Sequence, residues 1–218
     1  MTFDFDRARE NMVEGQVRTA DVTDRSLLAV LSDLPRERFV PKAKRELAYM
    51  DGDVPVAEGR HLLSPRVLAK MIQAGDITPA SAVLAIGTAT GYAAAVLGRM
   101  AASVIALEAD EALAKQAADL LSELEIDNAV IEVGPLAEGY SAQAPYDVIF
   151  VDGSIPQPST ALQDQLAEDG RLLAIIQPDV SGKACLFRKD GSTITKRILF
   201  DASAPPLPGF AVEPTFVF

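Results

Sequence analysis

Histidine and cysteine are nearly missing from this sequence, which has one of each, His61 and Cys185, and no tryptophan at all. A single cysteine closes no internal disulfide and fits a reducing compartment. A single histidine assembles no His-based metal cluster or triad, so the expectation is no metal site. Basic residues are outnumbered, with 20 Lys and Arg against 31 Asp and Glu, a formal net charge of -11. That balance repels polyanions at long range and argues against nucleic acid as a partner. No apolar run approaches the roughly 18 residues of a membrane span, and the first residues, MTFDFDRARE, lack the apolar core of a secretory signal. The expectation is a cytoplasmic protein with no membrane partner. Internal repeats and low-complexity tracts are also absent.

What is present is ordinary globular composition, 49% hydrophobic and 23% charged over 218 residues, enough for one large fold with a sizeable core. Two textures divide it. Residues 1–75 read as a helical cap region: RARENMVEGQV, then TDRSLLAVLSDL opened by Thr23 or Asp24, then PRERFVPKAKRELAY. SPRVLAKMIQAG closes it, with Ser64 as N-cap and Pro65 at the first helical position. Residues 76–218 alternate strands and helices, the rhythm of a parallel sheet with crossover helices. Strands are expected at AVLAI, SVIAL, NAVIEV, YDVIFV and GRLLAII, and helices at GYAAAVLGRM, DEALAKQAADLLSEL and STALQDQLAE. ACLFRK and TITKRILF, separated by Asp190-Gly191, form an antiparallel hairpin. Cys185, within that apolar pattern, reads as an inert small hydrophobe.

Ligands of such sheets bind outside the carboxyl ends of the strands, where strand order reverses. The stretch LAIGTATGY, Leu84 to Tyr92, falls there. Gly87 and Gly91 allow positive φ and close approach, and the following helix turns free N–H groups into the loop. Glu108, 21 residues beyond Gly87, stands where a carboxylate accepts hydrogen bonds from ribose hydroxyls. The plainer alternative is a tight strand-to-helix turn and a solvated Glu. Asp152 ends strand four, as a site residue or as part of a turn-forming Asp-Gly pair.

NMVEGQVR, LPRERFVP, AYMDGDVPV, VLAIGTATGYAAAVL, VIALEAD, VIEVGPLAEG, YDVIFVDGS and QLAEDGRLL follow in the order and spacing of protein-L-isoaspartate O-methyltransferases, and nearly the whole chain resembles that family. The resemblance implies a Rossmann-like α/β methyltransferase fold with a mostly parallel seven-stranded sheet. It also implies S-adenosylmethionine as cofactor and an isoaspartyl-containing protein or peptide as substrate. By resemblance Gly87, Thr88, Ala89, Thr90, Gly91 and Tyr92 form the first cofactor loop, Glu108 holds the ribose, Pro135 and Leu136 flank the adenine, and Asp152 lies just past strand four.

The departures from the family pattern fall in its loops. Ala85 replaces an acidic residue that helps hold the methionine end of the cofactor, and a methyl group accepts no hydrogen bond. Ala89 replaces a glycine. Pro135 replaces the Asp of an Asp-Gly pair at the adenine and lacks a backbone N–H. The family's Thr-x-Ser-x-Pro run, aligned on Pro65, has His61 at the Thr, Leu63 at the Ser, and Ser64 one position late. Ser64 either substitutes for the lost hydroxyl or caps its helix, and His61 is either structural or in contact with substrate. Cofactor binding is therefore expected to be weakened or lost. Three readings follow: an isoaspartyl carboxyl methyltransferase, a degenerate homologue binding another small ligand, and a protein-interaction module. The C-terminal DASAPPLPGFAVEPTFVF is expected to cover the sheet or a partner chain, a homodimer being one such assembly.

Overall fold

The computed structural model describes residues 3–178 and 181–210. At the N-terminus, Asp4 caps helix α1 (Phe5–Met12) by accepting from the Arg7 N–H at 3.0 Å. Helix α2 (Arg25–Asp33) is capped by Asp24, whose carboxylate accepts from the Ser26 and Leu27 N–H groups. The next stretch departs from the expected helix. Residues 35–47 form two short 3-10 turns, Arg36–Phe39 and Lys42–Leu47, because Pro35 and Pro41 interrupt the helical ladder. A small antiparallel hairpin follows, β1 (Val54–Ala57) and β2 (Arg60–Leu62), joined through Gly59 at φ 64°. This hairpin has no counterpart in the sequence expectation. Helix α3 (Pro65–Gly75) then begins with Ser64 as N-cap, as expected.

The alternating part matches its expectation closely. The strands are β3 (Ala82–Ile86), β4 (Ser103–Glu108), β5 (Ala129–Val133), β6 (Tyr146–Ile155), β7 (Leu166–Ile176), β8 (Lys183–Asp190) and β9 (Thr193–Asp201). Their spatial order is β5-β4-β3-β6-β7-β8-β9, parallel from β5 to β7 and antiparallel across β7, β8 and β9. Helices α4 (Tyr92–Gly98) and α5 (Glu111–Glu123) make the first two crossovers. On α5 the residues Leu113, Ala117 and Leu121 are buried, one stripe at helical spacing. Helix α6 is shorter than expected, Thr160–Asp164, since Leu166 already starts β7.

The sheet has two covered faces. Val83, Ala85, Val104, Ala106, Phe150 and Leu173 pack under the N-terminal helices, α3 and α4. Leu84, Ile86, Leu107, Ile149, Val151 and Cys185 pack under Leu136, Leu162, Leu207 and Phe210. Full burial of each such leucine or isoleucine contributes roughly 1.5–3 kcal/mol. The C-terminal segment therefore lies back over the sheet as far as Phe210, and the expectation for residues 211–218 falls outside the described residues. No helix among the described residues is long and apolar enough to cross a membrane.

Candidate functional site

Strand order reverses between β3, which leads outward to β4, and β6 on its other side. The crevice at their carboxyl ends is bounded by the Gly87–Gly91 loop, Glu108, Asp152-Gly153 and the β1–β2 hairpin. The loop has the strained geometry its sequence suggests: Gly87, Ala89 and Gly91 all take positive φ, at 76°, 48° and 93°. Gly91 is also needed for packing, because a Cβ there would meet the Ala117 Cβ at 2.9 Å. Ala89 holds its left-handed conformation through a 2.7 Å bond from its N–H to Glu108 Oε2.

Glu108 is fully buried and saturated with donors. Its carboxylate accepts from the Ala89, Ala109 and Asp110 N–H groups at 2.7, 2.8 and 3.1 Å. The remaining positions are taken by Arg60, whose Nη1 donates to Oε1 at 2.5 Å and whose Nη2 donates to Oε2 at 2.7 Å. Arg60 Nη2 also donates to the Gly87 carbonyl at 2.7 Å. This paired fork, with its two side chains 8% and 0% exposed, is the strong form of an ion pair, with the desolvation of both charges offset by satisfied geometry.

The hairpin and the loop before α3 are tied down on the other side. Arg36 is buried. Its Nε donates to the Ala48 carbonyl and its Nη2 to the Leu63 carbonyl, both at 2.7 Å, and its guanidinium lies 4.6 Å from the centroid of the Tyr92 ring. The Ser64 N–H donates to Asp53 Oδ1 at 2.7 Å, and Ser64 Oγ accepts from the Val67 N–H at 3.4 Å. Asp53 is pushed above the usual carboxylate value by burial, against the lowering effect of the Ser64 bond. Asp152 is buried at the centre. Burial pushes its carboxyl up to about 7, opposed by Arg60 and Arg36, and its Oδ1 has no protein hydrogen-bond partner among the described residues.

The residues singled out from sequence separate accordingly. Asp152 lines a small cavity with Arg60 and Leu207, and Gly87, Ala89 and Glu108 lie buried beside Arg60. Thr90 and Tyr92 turn toward the N-terminal helices instead: Thr90 Oγ donates to the Phe39 carbonyl at 2.6 Å, and the Tyr92 ring meets Phe39 edge-on at 5.3 Å. Thr88 is buried, its hydroxyl without a partner among the described residues. Pro135 is exposed, whereas Leu136 is buried in the core under the sheet. His61 is half-buried on β2 with Nδ1 unpartnered among the described residues, and Leu63 is buried beside it. Arg60, Arg36, Asp53 and Leu207 were not singled out. A lone Arg after a glycine carries no local sign that it will be buried against a Glu 48 positions away.

A parallel sheet reversed at β3, crossed by helices and closed by an antiparallel hairpin, with a glycine-containing loop and a carboxylate ending β4, defines a Rossmann-like methyltransferase fold. Residues 7–202 match the family model described as protein-L-isoaspartate(D-aspartate) O-methyltransferase, and the chain belongs to that family. It is 36% identical over 206 residues to a protein-L-isoaspartate O-methyltransferase of Roseiflexus castenholzii, covering 94% of each chain. Among solved structures, a protein-L-isoaspartate O-methyltransferase superposes with a TM-score of 0.83 at 23% identity, over 93% of this chain and 67% of that one. A Plasmodium falciparum structure assigned to the same activity and solved in complex with S-adenosyl-L-homocysteine gives 0.79 at 20%, over 95% and 100%.

The family uses S-adenosylmethionine, and in the described conformation the groups at the ends of β3, β4 and β6 are engaged with one another. The Glu108 carboxylate is engaged by Arg60, the Gly87 carbonyl likewise, and Leu207 lies against Gly87 and Gly153. Beside them Arg60, Leu63, Asp152 and Leu207 line a small cavity of about 10 Å³.

Proposed function

We propose that this chain serves the reaction of its family, transfer of a methyl group from S-adenosylmethionine to the misplaced carboxylate of an isoaspartyl residue in a damaged protein. The observation that carries this reading is Glu108, a buried carboxylate at the end of β4 facing the positive-φ loop Gly87–Gly91, the position from which a ribose is held. The acceptor carboxylate is ionised at neutral pH, so the chain's own part is to orient it rather than to remove a proton. We assign His61, on β2, and Ser64, at the start of α3, to the substrate side. The cofactor side comprises Gly87, Thr88, Ala89, Thr90, Gly91, Tyr92, Glu108, Pro135, Leu136 and Asp152, with Thr90, Tyr92 and Leu136 supporting from behind. The cofactor would supply the methyl group, and the described conformation has to open before it enters.

Incubation with labelled S-adenosylmethionine and an isoaspartyl peptide, with the aspartyl isomer as control, tests the reading. Base-labile methyl ester on the isoaspartyl peptide alone is the expected result, and no incorporation by folded protein at millimolar cofactor would reject turnover. One observation bears on a second reading, a homologue without turnover. Arg60 holds Glu108 where two further cofactor anchors are already replaced by Ala85 and Pro135. Losing one charged and one neutral hydrogen bond weakens binding by roughly 2.5–4 kcal/mol, a factor of about a hundred to a thousand.

A further inference from the structure

We propose that Arg60 and Leu207 form an intramolecular plug, a ligand that the chain supplies to its own cofactor cradle. This rests on the reading that the crevice at the ends of β3, β4 and β6 is a cofactor site. The polar half of the plug reproduces a ribose diol in its hydrogen bonding. Glu108 receives two parallel N–H donors from one guanidinium, on its two oxygens, where two hydroxyls would otherwise donate. Arg60 can do this because it sits on the three-residue strand β2, directly after the left-handed Gly59.

The apolar half comes from the other end of the chain. After β9 the backbone turns and adds a parallel bridge to the end of β6, Ser154 pairing with Pro206. The Ser154 N–H donates to the Pro205 carbonyl at 3.1 Å, the Leu207 N–H donates to the Ser154 carbonyl at 2.9 Å, and Ser154 Oγ donates to the Ala204 carbonyl at 2.8 Å. Those bonds seat Leu207 against two glycines at once. A Cβ on Gly87 would lie 2.7 Å from Leu207 Cδ1, and one on Gly153 would lie 2.7 Å from Leu207 Cγ. The glycines that could admit a ligand's approach are thus already used for the approach of a leucine.

Plug and cofactor compete for the same carboxylate, carbonyl and glycines, so binding is possible only in the fraction of molecules with the plug withdrawn. The apparent dissociation constant then exceeds the intrinsic one by the inverse of that fraction. The test is calorimetric titration of the full chain with S-adenosyl-L-homocysteine, comparing the unaltered protein with Leu207→Ala and with Leu207→Ala combined with Arg60→Gln. Gln leaves a donor for Glu108 while removing the fork, and Leu207→Ala alone keeps the ion pair should the double variant fold poorly. Circular dichroism establishes that each variant is folded. The expected result is at least tenfold tighter binding by a variant than by the unaltered chain. Equal or tighter binding by the unaltered chain overturns the plug and leaves the cofactor reading standing. No binding by any folded form up to several millimolar overturns the cofactor reading and the plug with it.

Discussion

Asp152 lies near two guanidinium groups and is still hard to ionise, because taking a carboxylate out of water outweighs the attraction of Arg60 and Arg36, while Asp53 and Glu108 add repulsion. Its carboxyl is raised from 3.8 to about 7. Between those values the folded chain holds a proton that the unfolded chain releases, so this group makes stability fall as pH rises across that window and contributes no further change above it. Asp152→Asn removes the titration. Thermal unfolding from pH 5 to pH 8 should show a shallower loss in the variant and a higher melting temperature than the parent at pH 8. An unchanged slope would mean that Asp152 is ionised throughout. Glu108, also buried, receives five donors, two of them charged, whereas Asp152 Oδ1 has no partner among the described residues. None of this was legible beforehand. Asp152 and Glu108 both read as acids at strand ends, and the Arg60 that distinguishes them is brought in by a hairpin with no local signature.

At the scale of elements, the crossover units β3-α4-β4-α5-β5 were readable because each carries its own periodic signal and its own cap. Asp110 accepts from the Ala112 and Leu113 N–H groups at the start of α5, and α4 starts at the left-handed Gly91. Elements set by distant partners were not readable. Arg36 looks like the first turn of a charged surface helix, yet two backbone carbonyls and the Tyr92 ring hold it inside. The segment 202–210 was legible as apolar and chain-covering, but its register on β6 was not. That register has a measurable consequence. Gly153→Ala forces a methyl against the Leu207 side chain and should destabilise the fold by about 1–3 kcal/mol, as overpacking does. Combining it with Leu207→Ala should recover much of that loss, since residues in direct contact couple. Denaturant unfolding of the two single variants and the double variant gives the coupling energy. A value near zero would place Leu207 elsewhere.

For the whole molecule, the family and the seven strands of the main sheet were available from the chain itself, because they depend on motifs, pattern and spacing, whereas the spatial order of the strands and the small β1–β2 sheet were not. What a family motif cannot convey is whether its crevice is open. The loops at the carboxyl ends of β3, β4 and β6 close on one another, and each closing contact joins residues far apart in the chain: 48 positions between Arg60 and Glu108, and 50 between Ser154 and Ala204. The two packed faces of the sheet, with Ala85 on one of them, are built from apolar residues and include neither Arg60 nor Glu108.

Cys185 sits on β8 between Ala174 of β7 and Ile198 of β9, buried, with its thiol directed at the Lys183 carbonyl. The chain has no other sulfhydryl, so reaction with a water-soluble disulfide reagent is a clock with one hand. It advances only when the outer strands peel from the sheet or the whole molecule unfolds. If peeling dominates, labelling should outpace global unfolding measured under the same conditions. Equal rates would mean that this edge departs only with everything else.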